Sequence, residues 1–294
     1  MTIGCLLKEG KDFLKSIAGE SADFEALCLL EQCLKKDRTY IYLHSDKEAD
    51  TVIENLYKEM LGRRKNGEPL QYILGEWEFF GRRFKVGKGV LIPRPETEEM
   101  VERALSYIKK LNKPLIVFDL CAGTGCIGIS IAKEAPNAKV YLFEKYPDAF
   151  YYLKENISLH NAENAVPVLC DVLDGFESLK DIPIPDLIIS NPPYIKRDEL
   201  PGLQTEVQAE PATALDGGED GLDFYKAFSQ KWLPYLNDDG AFIFECAEEQ
   251  PPIIAEREKN NFFCDNIKDI YGNMRFVCGS RKHENPSKLF SLNI

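Results

Sequence analysis

The sequence has few of the features that mark exported, membrane-spanning or metal-binding proteins. No stretch approaches the roughly 18 consecutive apolar residues of a membrane helix. Met1–Gly10 shows no apolar segment behind a basic region, as a secretion signal would. The nine cysteines include no CxxC pair, a spacing that favours reduced thiols over a zinc site or a disulfide framework. These absences predict a folded cytoplasmic protein without a bound metal ion.

Positive charge is also scarce. The chain of 294 residues carries 36 Lys and Arg against 48 Asp and Glu, a formal net charge of -12. This balance repels a phosphate backbone at long range, so direct nucleic-acid binding is not expected. Its local basic residues are predicted to form a solvated surface between two domains, with contact to an acidic partner as the alternative: Arg63, Arg64, Lys65, Arg82, Arg83 and Lys85.

The amino-terminal quarter of the chain carries helical patterns. Apolar residues recur at helical spacing within Ser21–Leu34, and Ser45 with Glu48 is predicted as a capping box that opens a second helix. Glycine and proline then punctuate the chain before two strand-like runs, Trp77–Phe84 and Lys85–Ile92. These runs predict a hairpin that links a helical domain to the rest of the chain.

From Lys113 onward, apolar and β-branched runs alternate with helical segments. The runs are Leu115–Cys121, Val140–Phe143, Val166–Leu169, Leu187–Ser190, Ala241–Cys246, Ile267–Tyr271 and Met274–Cys278. Such alternation predicts an α/β fold, in which a mainly parallel sheet is covered by helices on both faces. The last two runs are separated only by Gly272 and Asn273, which predicts an antiparallel hairpin at the sheet edge.

A glycine-rich loop follows the first of these runs, in the stretch Asp119-Leu-Cys-Ala-Gly123-Thr-Gly125-Cys-Ile-Gly128. Glycines let the backbone approach a ligand that a Cβ atom would block. Glu144 ends the next strand, where its carboxylate can accept hydrogen bonds from both hydroxyls of a ribose. The loop predicts an adenosine-containing cofactor but fits NAD and S-adenosylmethionine equally well. Asp119 favours the latter, because it can reach the methionine amine through hydrogen bonds.

The motif Asn191-Pro192-Pro193-Tyr194 follows a buried strand, at the edge where open α/β sheets bind ligands. The prolines remove backbone donors. The Asn191 side-chain oxygen and the Pro192 carbonyl can then each accept one hydrogen of a planar NH2 group, against which Tyr194 packs its ring. Such a nitrogen is a weak nucleophile, so alignment with a sulfonium methyl should supply much of the rate. The motif predicts direct methyl transfer without a general base.

With these motifs the chain resembles the release factor glutamine methyltransferase family, a branch of the class I methyltransferases with a Rossmann-like fold. Further matching stretches are Gln71–Gly75, Glu78–Gly81, Val90–Glu98, Pro211–Gly218, Asp220–Leu222, Glu245–Gln250 and Asp269–Phe276. The resemblance implies a helical release-factor-engaging domain at 1–74, an interdomain β-hairpin at 75–92 and a methyltransferase domain with a seven-stranded sheet at 93–294. It also implies methylation of N5, the side-chain amide nitrogen, of the glutamine in the Gly-Gly-Gln loop of peptide chain release factors.

The resemblance further implies which residues form the site. S-adenosylmethionine would contact Asp119, Cys121, Ala122, Gly123, Thr124, Gly125, Glu144 and Asn191, with Asp171 or Val172 bordering the adenine. The release factor glutamine would lie against Asn191, Pro192, Pro193 and Tyr194, of which Asn191, Pro192 and Tyr194 are the catalytic candidates. The chain departs from the family at Ala122, Glu144, Ala247 and Val172, where Thr, Asp, Gly and an aromatic residue are commoner. Glu144 would shift the ribose contact, and Val172 would leave a shallower adenine pocket.

Four other functions stay open on the sequence alone. The substrate could be a glutamine of a ribosomal protein, or the exocyclic amine of adenine in DNA or RNA, which presents the same planar NH2. The acidic charge and the lack of an added target-recognition domain count against the adenine enzyme. An NAD-dependent oxidoreductase would leave Asn191–Tyr194 unexplained, and a non-catalytic binding protein would have no need to keep that motif intact.

Overall fold

The computed structural model describes residues 1–292 and divides the chain into two compact units. The first unit holds Met1–Glu76 together with Gln204–Ala209, and the second holds Trp77–Leu203 and the residues from Glu210 onward. The prediction divided the chain at residues 74 and 92 and did not assign residues 204–209 to the amino-terminal part, whereas the structure does. Among residues 1–292, no helix combines the length and the apolar composition that a membrane span requires.

The first unit is helical. Its helices are α1 (Ile3–Ala18), α2 (Ala22–Leu34), α3 (Arg38–Leu43), α4 (Thr51–Lys65), α5 (Leu70–Leu74) and, from the later segment, α9 (Thr205–Gln208). The cap of α4 is Asp50, whose side chain accepts a hydrogen bond from the Val52 N–H at 2.9 Å. The capping box predicted at Ser45 and Glu48 is therefore wrong. Both sites carry capping-type residues, and the sequence pattern alone did not show which one begins the helix.

One charged cluster of this unit is buried. Arg64 on α4 is 1% exposed and donates hydrogen bonds to Glu25 at 2.6 and 3.2 Å. It also forms an ion pair with Glu206 on α9. Two carboxylates offset the cost of taking the guanidinium out of water. The prediction that Arg64 lies on a solvated surface is wrong, because its partners are distant in sequence and no local pattern reveals them.

The hairpin of β1 (Glu76–Phe79) and β2 (Arg82–Lys85) is shorter than predicted. Its turn is Phe80-Gly81, where φ is 52° and 67°, as a two-residue type I′ turn requires. Residues 86–92 form no strand, so the second predicted run, Lys85–Ile92, is wrong. That stretch is a partly buried loop leading into α6.

The second unit is built on a sheet with the strand order β5-β4-β3-β6-β7-β9-β8. The strands are β3 (Ile116–Leu120), β4 (Lys139–Glu144), β5 (Ala165–Leu169), β6 (Leu187–Ser190), β7 (Ala241–Glu245), β8 (Phe263–Lys268) and β9 (Met274–Ser280). Strands β3 to β7 are parallel, and β9 is antiparallel to both β7 and β8. The predicted mainly parallel, seven-stranded sheet and its terminal hairpin are confirmed, although Ile270 and Tyr271 lie in the turn.

Helices cover both faces of this sheet. One face carries α6 (Pro95–Leu111), α7 (Cys126–Glu134) and α8 (Pro147–Leu159), with α12 (Pro286–Leu289) beside them, and the other carries α10 (Asp223–Lys231) and α11 (Pro251–Glu258). Alternate strand residues enter the two cores: Val117 and Ile189 on the α6 side, Phe118 and Ile188 on the α10 side. The strand order reverses between β3 and β6, which places a ligand crevice at the carboxyl ends of those two strands.

Candidate active site

The loop Cys121–Gly125 joins the carboxyl end of β3 to α7. Its backbone is left-handed at Cys121, Gly123 and Gly125, with φ of 62°, 55° and 79°, a region that glycine adopts without strain. A Cβ atom on Gly125 would also lie 2.5 Å from Cδ1 of Leu153. Both the dihedral angle and the packing therefore require glycine at 125, and the loop shape follows from the backbone rather than from side chains.

Asp119 lies beneath this loop, fully buried. Its Oδ2 accepts the N–H of Gly128 at 2.9 Å, while its Oδ1 has no hydrogen-bond partner within residues 1–292. A Cβ atom at 128 would lie 2.8 Å from that Oδ2, so Gly128 is what lets α7 approach the carboxyl group. Burial raises the pKa of Asp119 to about 8.

Glu144, the last residue of β4, is held by backbone donors. Its Oε2 accepts the Gly123 N–H at 2.9 Å, and its Oε1 accepts the N–H groups of Lys145 and Tyr146 at 2.9 and 2.8 Å. Burial raises the pKa of Glu144, and these hydrogen bonds oppose the rise because they favour the charged form. The carboxylate thus ties the glycine loop to the end of the neighbouring strand.

Asn191 follows β6 on the other side of the crevice. Its side-chain NH2 donates to the Thr97 hydroxyl at 3.1 Å, which leaves the amide oxygen free to face the crevice. Thr97 lies in the first turn of α6 and is 2% exposed. Thr97 belongs to the family-matching stretch Val90–Glu98, but no local pattern predicts its role, because the contact joins residues that are far apart in the chain.

Tyr194 is enclosed by the loop that follows it. Its carbonyl accepts the Gln250 side-chain NH2 at 2.9 Å. A Cβ atom on Gly217 would lie 2.7 Å from the Tyr194 Cα, and one on Gly221 would lie 2.5 Å from the Tyr194 oxygen. Gly217 and Gly221 therefore let their loop pack closely against Tyr194, the last residue of the Asn-Pro-Pro-Tyr motif. Burial raises the pKa of the Tyr194 phenol, which stays neutral and cannot serve as a base.

The segment between β2 and α6 is fixed above the crevice by one acidic residue. Glu210 is 5% exposed; its Oε2 accepts the Ile92 N–H at 2.9 Å, and its other oxygen pairs with Arg94. Glu210 opens the Pro211 loop that also lines the crevice. Two stretches that the sequence analysis quoted only as family matches are thereby held together at the site.

A cavity lies between the β3–β4 and β6 strand ends. Of the predicted residues it is lined by Cys121, Ala122, Gly123, Thr124, Glu144, Asp171, Val172, Asn191 and Pro193. Asp119, Gly125, Pro192 and Tyr194 are absent from the lining and lie just behind it. The lining residues that were not predicted as part of the site are Gly89–Arg94, Thr97, Cys126, Ile127, Phe143, Lys145, Tyr146, Ala149, Leu173, Pro211, Thr213, Ala214 and Phe224.

Asp171 and Val172, predicted to border the adenine, both line the cavity. Val172 is 4% exposed, and its carbonyl accepts the Trp232 indole N–H at 2.7 Å, so this part of the lining is anchored to the core. Asp171 pairs with Lys145 at 2.7 Å. Tyr146 and Phe224 bring aromatic rings to the same lining. Aromatic surface is therefore present, although it does not come from position 172.

The remaining chemistry of the site is electrostatic rather than nucleophilic. Burial raises the pKa of the Cys121 thiol well above its usual range, so it stays protonated. The described residues contain no group of His, Cys, Asp and Glu side chains placed to hold a metal ion. The arrangement offers hydrogen-bond acceptors and a shaped cavity, which suits transfer of a group between two bound molecules.

Known proteins similar to this chain agree with that geometry. Residues 6–75 match the model of the PrmC N-terminal domain, and residues 80–198 match that of the TRM5/TYW2 methyltransferase domain. The release factor glutamine methyltransferase of Clostridium botulinum is 38% identical over 94% of this chain and 98% of its own. That of Aquifex aeolicus is 36% identical over 92% and 95%.

A solved structure supports the fold alone. It is described as the hMettl16 catalytic domain in complex with MAT2A 3'UTR hairpin 1, and it is 13% identical with a TM-score of 0.54, covering 78% of this chain and 80% of that one. The sheet, the glycine loop and the Asn-Pro-Pro-Tyr strand exit define a Rossmann-like, S-adenosylmethionine-dependent methyltransferase. Identity above 30% along nearly the full chain is more specific. The chain belongs to the release factor glutamine methyltransferase family.

Proposed function

We propose that this chain transfers a methyl group from S-adenosyl-L-methionine to N5 of the glutamine in the Gly-Gly-Gln loop of a peptide chain release factor. The observation that carries the proposal is Asn191, which lines a cavity bordered by the glycine loop and Glu144 and whose side-chain NH2 is taken up by Thr97, leaving its oxygen as the free acceptor. The names of relatives that match nearly the whole chain favour the release factor as the substrate. Such a substrate is cytoplasmic, in line with the expectation from the sequence.

The residues on the β3–β4 side fit the cofactor. S-adenosylmethionine, when bound, supplies an electrophilic methyl group on a sulfonium. Ionised Glu144 has about four lone-pair positions, and three backbone N–H groups occupy three of them. One position on Oε2 is left to accept a ribose hydroxyl, so we expect one strong ribose contact instead of two. Gly123 and Cys121 leave room for the methionine portion, and Asp171 and Val172 border the adenine.

Asp119 acts from behind this subsite. Its unpartnered Oδ1 is an acceptor that the chain itself does not satisfy, and buried polar atoms are usually paired. We propose that this oxygen accepts a hydrogen bond, directly or through a water molecule, from the methionine amine. Gly125 does not line the cavity, and it contributes to the site because it shapes the loop.

The residues on the β6 side fit the substrate amide. The Asn191 oxygen and the Pro192 carbonyl accept the two hydrogens of the glutamine NH2, which fixes the plane of the group. Pro193 lines the cavity, and the Tyr194 ring packs against the amide from behind. The delocalised nitrogen lone pair is a weak nucleophile, so holding it in line with the methyl carbon supplies much of the rate. Forming the N–CH3 bond would break the S–CH3 bond and leave S-adenosyl-L-homocysteine, and the alkylated nitrogen, now acidic, would then lose its proton to water.

The test is transfer of a labelled methyl group from S-adenosylmethionine to three acceptors in parallel. These are a purified release factor, the same factor with its loop glutamine changed to alanine, and a DNA oligonucleotide that contains adenine. We expect label on the native factor alone. Label on the DNA would instead support an adenine methyltransferase. Label on the alanine variant would show that a residue other than the loop glutamine accepts the methyl group. A ribosomal-protein fraction as a fourth acceptor tests the other glutamine substrate.

A further inference from the structure

Glu245, a neighbour of Asn191 at the end of the adjacent strand, has no role in the proposed function. Strands β6 and β7 are parallel, with Ser190 opposite Phe244, so the next residues, Asn191 and Glu245, lie level at the carboxyl ends. Side chains alternate along a strand, and Ile189 belongs to the core on the α6 side. Asn191 and Glu245 therefore both face α6, where Thr97 lies in the first turn.

Thr97 is in contact with both of these residues. Its hydroxyl oxygen accepts the Asn191 NH2 at 3.1 Å, and the same hydroxyl lies near enough to the Glu245 carboxyl group to lower the pKa of that group. Thr97 and Glu245 are each 2% exposed, so water does not compete for these groups. Asn191, Thr97 and Glu245 therefore form one polar cluster at the edge of the cavity.

The directions of these hydrogen bonds follow from the charge of Glu245. An ionised carboxylate only accepts, and a threonine hydroxyl has a single proton to give. When Glu245 takes that proton, the Thr97 oxygen has only lone pairs left for Asn191. Asn191 must then present its NH2 to Thr97 and its oxygen to the cavity. Without the carboxylate the hydroxyl can donate to the Asn191 oxygen, and the amide can turn over.

We infer that Glu245 and Thr97 are positioning residues for methyl transfer, which together hold the Asn191 amide with its oxygen toward the substrate nitrogen. The inference rests on the proposed role of Asn191. A reversed amide would present a donor to the NH2 of the substrate, and two donors facing each other disrupt the alignment. The pair acts on turnover, because Thr97 is hydrogen-bonded to Asn191 and not to the glycine loop that holds the cofactor.

The surroundings of Glu245 make its charge sensitive to pH. Burial raises its pKa to about 7; Glu96 acts in the same direction, while Thr97, Arg275 and Arg94 oppose the rise. The other titratable groups that face it are held protonated by burial: Tyr194, Tyr225, Cys126 and Cys246. Glu245 is therefore the group of this cluster that changes charge near neutral pH. Its Oε2 has no hydrogen-bond partner among the described residues, so little else stabilises the ionised form.

The experiment compares the full-length wild-type enzyme with Thr97→Val, Thr97→Ser and Glu245→Gln, at saturating S-adenosylmethionine and release factor. Glu258→Gln is the matched control, since Glu258 is an equally buried carboxyl group on α11 whose side chain is remote from the cavity lining. We expect kcat to fall about tenfold to a hundredfold in Thr97→Val and in Glu245→Gln, the scale of a misplaced reacting group. Thr97→Ser should regain most of the kcat lost in Thr97→Val, and the Kd for S-adenosylmethionine should change little throughout.

The pH profile separates positioning from a structural role. In the wild type, kcat should fall as the pH decreases through the pKa of Glu245. In Glu245→Gln that descent should disappear, leaving a low and flatter profile. A kcat within threefold of wild type in Thr97→Val, while wild type is active, overturns the inference even if Glu245→Gln does not fold. Absence of transfer by the wild type itself would count instead against the proposed function.

Discussion

The two sides of the cavity are built in different ways. On the β3–β4 side the shape comes from the backbone, through glycines with positive φ and a carboxylate, Glu144, that is held by three N–H groups. On the β6–β7 side the chemistry depends on one side-chain amide, Asn191, which is anchored by one hydrogen bond at 3.1 Å. On the β3–β4 side, several hydrogen bonds and close backbone contacts together give the affinity for the cofactor. On the β6–β7 side, one oriented amide group aligns the substrate nitrogen. Changes on the first side should therefore alter cofactor binding, and changes on the second should alter turnover.

The largest effect is expected for Asn191→Ala. The variant removes an acceptor from the nucleophile, so kcat should fall by about a hundredfold or more. The fold should be retained and the Kd for S-adenosylmethionine should stay within a few fold of wild type. Single-turnover methyl transfer with saturating substrates measures the first quantity, and tryptophan fluorescence titration measures the second. Near-normal turnover by Asn191→Ala would show that the β6–β7 side does not control the rate of methyl transfer.

Glu144→Ala should show the opposite behaviour. We expect the binding free energy of S-adenosylmethionine to weaken by about 1 to 3 kcal/mol, the scale of hydrogen bonds to a charged group. This loss of binding free energy includes the hydrogen bond that Glu144 accepts from the Gly123 N–H, as well as the contact to the ribose. Titration calorimetry gives the Kd, with Glu155→Ala as a control, since Glu155 is a half-exposed carboxylate that pairs with Lys85 away from the cavity. An unchanged Kd in Glu144→Ala would take this residue out of the site.

Gly125→Ala tests whether the loop is built by its backbone. The alanine would have to adopt φ of 79° with its Cβ 2.5 Å from Leu153, so the free energy of unfolding should decrease by about 1 to 3 kcal/mol. Cofactor affinity should decrease with it. Gly202→Ala is the matched control, because a Cβ atom there meets no atom within 4 Å and its φ is not positive. Equal stability of the two variants in urea denaturation would show that the loop tolerates a side chain.

A further effect, on stability as a function of pH, concerns the buried Asp119. Its pKa in the folded protein, about 8, lies above its ordinary value of 3.8, so the protonated form favours folding. The stability it contributes is present at low pH and is lost as the pH rises from about 4 to about 8. Asp119→Asn mimics the protonated group and should flatten the dependence in this window. Urea unfolding of both proteins without cofactor, near pH 5 and near pH 8, measures the difference, and parallel curves would contradict it.

Much of the second unit was predictable from the sequence because its signals are local. Buried parallel strands appear as short apolar runs, and the predicted run Leu187–Ser190 coincides with β6. Glu144 was placed correctly at the end of its strand for the same reason. The lining by Cys121–Thr124 also follows from one continuous stretch. Patterns within a few residues suffice when an element is regular and a motif is contiguous.

The parts that could not be predicted depend on partners far apart in the chain. Thr97 and Asn191 meet only because α6 packs over the end of β6, and Glu210 fixes the Ile92 segment across a similar separation. Arg64 is buried because Glu25 and Glu206 converge on it. A charged or hydroxyl side chain has no local signal that distinguishes such a site from a solvated surface. The polar contacts of the active site are therefore what the structure adds.

The acceptor residue and the role of Asn191 can be examined in a single experiment. Wild-type enzyme and Asn191→Ala, each loaded with S-adenosylmethionine, are given a release factor for the same short time, and its loop peptide is analysed by tandem mass spectrometry. We predict one methyl group on the side-chain nitrogen of the Gly-Gly-Gln glutamine with the wild type, and none above background with the variant. Methylation of that glutamine by both proteins at similar rates, or of a different residue by the wild type, would contradict the account.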